Sequence, residues 1–305
     1  MSLPAKLWFQ WQRLKKAFTS SMGTPASTPG SKVRMCPHCR ALIDRDLKVC
    51  PLCGEATGPV RARGGSGTPG RIMGVIPIPT TATSVLVVAN LALYAISWYM
   101  TQNTEAAQLY GAPPMGGISG EVLRRLGEKT PEIITDHQWW RLVTAMFLHL
   151  NLLHIGMNMW CLVDLGPEVE SLFSTTKFTV LYLVTGVVGY ILSLWWSPVP
   201  SAGASGAIMG LIGILIGASF HHGHLGKEYR SQLWKWVIYI AIFGIFFNVD
   251  NTAHFGGLAS GLVLGYLVPE GEPSTRPEEN LWNALAMLSV LVIAASFVLM
   301  ALQLG

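Results

Sequence analysis

Four polar side chains stand in otherwise apolar sequence, and their types are those of acyl-transfer chemistry: Ser205, His254, His154 and Asn158. Ser205 follows Pro198 and Pro200, which end the preceding segment, and opens a Gly/Ala-rich run. It is therefore expected near a helix N-terminus, where unpaired backbone N–H groups and the positive end of the helix dipole can hold an oxyanion. His254 supplies a general base that could activate a serine hydroxyl without an aspartate, giving a dyad. His154 and Asn158 are four residues apart, share a helix face, and can aim two donors at one point. Blander readings stand beside these. Serines are frequent packing residues in apolar helices, and His149, His154 and His254 could form a metal site or be satisfied core polars. No His-Glu-x-x-His pattern and no in-span carboxylate cluster accompanies them, although Asp164 lies near one end.

A second constellation lies near the N-terminus. Cys36-Pro-His-Cys39 is followed after ten residues by Cys50-Pro-Leu-Cys53, two thiolate pairs of the kind that close a tetrahedral zinc site. A segment this short cannot bury a core of its own without such a staple. The expected cofactor is thus a structural Zn2+ on Cys36, Cys39, Cys50 and Cys53, with none for catalysis. Two disulfides or a tetrathiolate iron are the alternatives, the first disfavoured in a reducing compartment. His38 reads as solvent-facing, and Cys161 as a small buried hydrophobe.

The elements that must position Ser205 and His254 are membrane helices. Half of the 305 residues are hydrophobic and 12% are charged, well below the roughly one quarter charged of a soluble domain. Apolar runs fall at 80–100, 151–169, 176–196, 205–220, 233–247, 252–268 and 281–304, each near the roughly 20 residues a bilayer requires or somewhat short of it. Ahead of the first run stand 12 of the 21 Lys and Arg against 3 of the 17 acidic residues, a surplus of nine positive charges. Cationic flanks stay on the cytoplasmic side, so the N-terminus is expected there. Lys227, Arg230 and Lys235, in an expected loop near Leu225, then fall on the same side, and Ser205 and His254 approach the outer face at similar depth. Gly206, Gly210, Gly213 and Gly217 form one small-residue stripe, and His254, Gly257, Gly261 and Gly265 share another face. Such stripes let helix backbones come close.

Residues 1–32 read as a basic amphipathic segment, with Trp8, Phe9, Trp11, Leu14 and Phe18 among Lys6, Arg13, Lys15 and Lys16, plus a linker. An ordinary helix packed on its own domain fits the same pattern. No cleavable leader is recognisable there, so the first span is expected to be retained. Residues 33–58 form the zinc-ribbon-like module, 59–75 a second Gly/Pro/Ser-rich linker, 76–269 the membrane core, and 270–305 a cytoplasmic loop and a last span.

Taken together, these residues resemble the rhomboid family of intramembrane serine proteases. The resemblance rests on Trp140-Arg141, His149, His154-x-x-x-Asn158, Gly203-Ala-Ser205-Gly206 and Ala253-His254-x-Gly256-Gly257 with Gly261, in that order. It implies an all-α polytopic membrane protein: a six-helix rhomboid-like bundle, one extra C-terminal transmembrane helix, and the small zinc-ribbon-like module in front. It implies Ser205 as nucleophile and His254 as base, with His154, Asn158 and the Ser205 backbone N–H as oxyanion donors beside Gly203. Trp140, Arg141 and Glu170 would be structural. Met209 departs from the aromatic residue often found four positions after the nucleophile; its sulfur can still meet a ring edge. The implied substrates are single-span membrane proteins cleaved where the helix unwinds, from a site open to the outer or periplasmic side of the lipid bilayer. A silent helix-binding relative is the second function class. A membrane-tethered nucleic-acid binder is the third, but orientation accounts for the basic N-terminus more simply, and no nucleic acid is expected.

Overall fold

A computed structural model of the chain describes residues 33–35, 42–44, 49–51, 71–72, 76–77, 80–246 and 249–304. The chain forms two compact units, Met1–Gly67 and Thr68–Gly305. In the first, β1 (Val33–Met35) pairs antiparallel with β2 (Leu42–Asp44), Met35 opposite Leu42. This hairpin brackets Cys36 and Cys39 in sequence, and Cys50 is buried. Cys36, Cys39 and Cys53, the expected amphipathic segment at 1–18 and the first linker lie outside the described residues.

The second unit starts with a small antiparallel pair, β3 (Arg71–Ile72) and β4 (Ile76–Pro77). Seven long helices follow among the described residues. They are α1 (Thr81–Gln102), α2 (Leu152–Phe173), α3 (Thr175–Trp196), α4 (Ser205–Ser219), α5 (Gly223–Phe246), α6 (Asn251–Leu267) and α7 (Arg276–Leu302). Side-chain caps define several starts: Asn151 accepts from His154 N–H, Ser174 from Lys177 N–H, Asp250 from Ala253 N–H and Thr275 from Glu278 N–H. Each satisfies a backbone donor that the first turn leaves open.

Among the described residues four helices are long and apolar enough to cross a membrane: α1, α3, Ser205–His222 and α7. A fifth arises if Arg141–Phe147 and α2, bent by 93° at their junction, count as one span. The other two expected runs fall short for visible reasons. α6 has 17 residues. α5 extends back beyond the apolar run, so Lys227, Arg230 and Lys235 lie on a helix and not in the expected loop. Lys, Glu, Arg and Gln are good helix formers and carry the helix through this polar stretch. Arg230 also donates to the Ser219 carbonyl at 2.7 Å, serving the C-terminal end of α4.

α4 is the central helix, buried from Gly206 to Ser219, with α3 and α6 packed against it. A Cβ on Gly257 would stand 1.9 Å from the Gly206 carbonyl oxygen, and one on Gly261 2.1 Å from that of Gly210. Only hydrogen fits there, so the glycines set the depth of the α4–α6 contact.

The helices alternate in direction. At one end the Glu170 carboxylate accepts from Ala82 N–H and Thr83 N–H, both 3.1 Å, from the Thr80 and Thr83 hydroxyls, and from Thr175 Oγ1 at 2.8 Å. It therefore caps α1 from the last turn of α2. Lys177, fully buried, donates at the same end to the carbonyls of Pro269 (2.9 Å) and Gly271 (3.0 Å) and lies 3.4 Å from Glu278, tying the start of α7 to α3. At the opposite end lie the start of α4, the start of α6 and the turn Ala145–Phe147, against which Phe297 of α7 packs edge to face.

Candidate active site

The chain enters α4 through an extended segment held on both sides. Ser201 and Lys129 exchange backbone hydrogen bonds of 2.8 and 3.0 Å, and Gly203 N–H donates to the Ala145 carbonyl at 2.9 Å. The buried Tyr190 hydroxyl donates to the Gly203 carbonyl at 2.9 Å. Gly203 has φ +142, and a Cβ there would come within 2.9 Å of His154 Nε2. Glycine is needed for both reasons: the backbone angle disfavours a side chain, and an imidazole occupies the space. Ser205 follows as the first residue of α4, its N–H among those with no intrahelical partner.

His254 lies in the first turn of α6 and is 5% exposed. Its Nε2 stands 2.8 Å from Ser205 Oγ, hydrogen-bonding distance for a base and the hydroxyl it activates. His254 Nδ1 is buried with no hydrogen-bond partner among the described residues.

His154 approaches from α2. Its Nδ1 accepts from Leu150 N–H at 3.3 Å, which leaves the proton on Nε2, the atom facing Gly203. A neutral imidazole in this tautomer donates toward the Ser205 side. Asn158 is one turn further along α2 and donates from Nδ2 to the His154 carbonyl at 2.8 Å. His149 is buried behind His154, ring centroids 5.1 Å apart. Among the described residues no three His, Cys, Asp or Glu side chains converge into a metal-binding group, so His149, His154 and His254 are not gathered round one point. Met209 is buried one turn after Ser205.

Trp140 and Arg141 stand apart from the reacting atoms. Arg141 Nη1 donates to the carbonyls of Arg124 (2.8 Å) and Glu128 (3.2 Å), and its guanidinium lies 4.8 Å from the Trp140 ring centroid. Together they brace the 120–144 segment. Glu170 is at the far end of the bundle, while Gly257 and Gly261 form the α4–α6 contact.

Sequence reasoning missed a polar group beside Ser205 and His254. Asp250 Oδ1 accepts from Ala253 N–H at 3.0 Å, and its Oδ2 accepts from the hydroxyls of Ser193 and Ser201, the latter at 2.6 Å. Lys129 Nζ is 3.7 Å from the same oxygen. Burial acts to raise the Asp250 pKa, but these hydrogen bonds and the Lys129 charge outweigh it and hold the carboxyl below its ordinary range. Burial lowers the Lys129 pKa, an effect the Asp250 charge partly offsets. The one signal in sequence was an Asp three residues before Ala253, the spacing of an N-cap.

Residues 136–271 match the model of the Rhomboid domain. The chain is similar to the "Rhomboid protease GluP" of Bacillus subtilis (strain 168), 35% identical over 151 residues, covering 48% of this chain and 29% of that protein. It is similar to "RHOMBOID-like protein 6, mitochondrial" of Arabidopsis thaliana, 31% identical over 208 residues, covering 61% of this chain and 68% of that protein. With "RHOMBOID-like protein 1" of the same plant it shares 31% identity over 200 residues, 60% of this chain and 51% of that protein. The matched region thus spans less than two thirds of the first and third of these relatives.

Proposed function

The chain belongs to the rhomboid family, and from that premise we propose that it is an intramembrane serine protease. The observation that carries the reading is the 2.8 Å contact between Ser205 Oγ and His254 Nε2 at the N-terminus of a buried helix. In the proposed reaction, His254 takes the Ser205 proton as Oγ attacks a scissile carbonyl. The developing oxyanion is met by the Ser205 N–H, by His154 Nε2–H and by Asn158, whose Nδ2 has a second hydrogen besides the one given to the His154 carbonyl. The imidazolium then protonates the leaving amine, and the acyl-enzyme is released by water through the same base.

Substrates are single-span membrane proteins. A helical carbonyl is shielded by its own hydrogen bond, so cleavage falls where Gly or Pro lets the substrate helix open. All seven long helices span the bilayer as six plus one, with the N-terminus cytoplasmic. The surplus of positive charge before α1 and Lys227 and Arg230 near the start of α5 support this orientation. The dyad, at the opposite end, then opens to the outer side. The N-terminal module binds a structural Zn2+ through Cys36, Cys39, Cys50 and Cys53. Support comes from the hairpin that brackets the first pair and from the burial of Cys50.

The test is a cleavage assay in reconstituted vesicles on a model single-span substrate. The parent should cut it, and Ser205→Ala and His254→Ala should be inactive while keeping the parent's fold by circular dichroism. Undiminished cleavage by either variant would sink the assignment.

A further inference from the structure

We propose that Lys129 and Asp250 are positioning residues, a buried ion pair that fixes the start of α6, and with it His254, against the extended segment that delivers Ser205. The inference rests on the hydrolase reading above and adds residues to its machinery.

Three separate parts of the chain meet on this pair. Lys129 Nζ donates to the carbonyls of Ser197 and Val199, both at 2.7 Å, so one ammonium holds two carbonyls of the segment before Ser205. Its backbone adds the two bonds to Ser201. On the other side, Asp250 caps α6 one helical turn before His254 and takes the hydroxyls of Ser193, near the end of α3, and Ser201. Ser201 thus touches both partners. Its position relative to Ser205 and that of Asp250 relative to His254 are each separated by four residues. The pair therefore locks the two reacting side chains to a common frame.

Stability alone does not account for it. The Lys129 side chain is 1% exposed and that of Asp250 10%, and a buried ion pair is often no more stabilising than apolar side chains of similar volume. What charges add is direction, because hydrogen bonds tolerate little misplacement. Direction is what the dyad needs, since a shift of about 1 Å at a reacting group can cost about 100-fold in rate.

The experiment compares the full-length parent with Lys129→Met, Asp250→Asn, the double variant and Ser201→Ala in reconstituted vesicles. Cleavage kinetics, the rate at which a fluorophosphonate labels Ser205, and the thermal midpoint are each measured. The single charge variants should lose kcat by about 10- to 100-fold with KM nearly unchanged, and labelling should slow in step. Each leaves a lone buried charge and should also melt lower. The double variant, with no lone charge, should regain its thermal midpoint but not its kcat. Ser201→Ala removes one hydroxyl, keeps the fold if the others do not, and should lose kcat by a smaller factor. Recovery of kcat together with stability in the double variant would show a merely structural pair and overturn the inference, as would Ser201→Ala with the parent's kcat. A parent that neither cleaves nor labels would instead overturn the hydrolase reading beneath it.

Discussion

A serine hydroxyl is a weak nucleophile until a base removes its proton and a donor awaits the charge that forms, and the proposed reaction draws both from side chains near Ser205. His254 is in place at 2.8 Å. The donor side of the proposed reaction rests on His154, whose tautomer is set by the Leu150 N–H and whose Nε2 faces Gly203. Loss of a single oxyanion donor costs about 100- to 1,000-fold in kcat. His154→Ala is therefore expected to lose kcat in that range with KM little changed and the fold intact. Steady-state kinetics alongside circular dichroism would test it; a kcat within a few-fold of the parent would reduce His154 to packing. Asn158 divides its amide between the His154 carbonyl and the oxyanion of the proposed reaction, so Asn158→Ala should lose less.

At the scale of elements, the spacing of the dyad is the spacing of α4 and α6. Methyl groups at Gly257 and Gly261 would fall on backbone carbonyl oxygens of α4 that cannot move aside without moving the helix. Overpacking of this kind costs about 1–3 kcal/mol, at times more. Gly257→Ala and Gly261→Ala should each lower the thermal midpoint in detergent and slow fluorophosphonate labelling of Ser205, because the helices that separate carry the reacting residues. Gly156 is the control: on α2 a Cβ there meets nothing within 4 Å, and Gly156→Ala should stabilise slightly, since Ala is the better helix former by about 1 kcal/mol. If all three variants label like the parent, close approach does not set the dyad.

At the scale of the whole molecule, the two compact units lead to separate expectations. Bound metal measured on purified protein should be near one zinc per chain and fall on Cys36→Ser or Cys50→Ser, while unchanged metal content would remove the proposed site. The sequence by itself determined the helical membrane class and the family, because both are written in local spacing: apolar runs, and a serine and a histidine each followed by small-residue stripes. It misjudged α5, where a polar but helix-forming stretch extends the helix below its apolar run. Only the tertiary structure decided which polar groups surround the site. Lys129, Ser193, Ser201 and Asp250 belong to different segments, carry no shared motif, and become one cluster only when the first loop, the end of α3 and the start of α6 fold together. A buried charge is tolerable only with its partners in place, and partners distant in sequence leave no periodic trace in it.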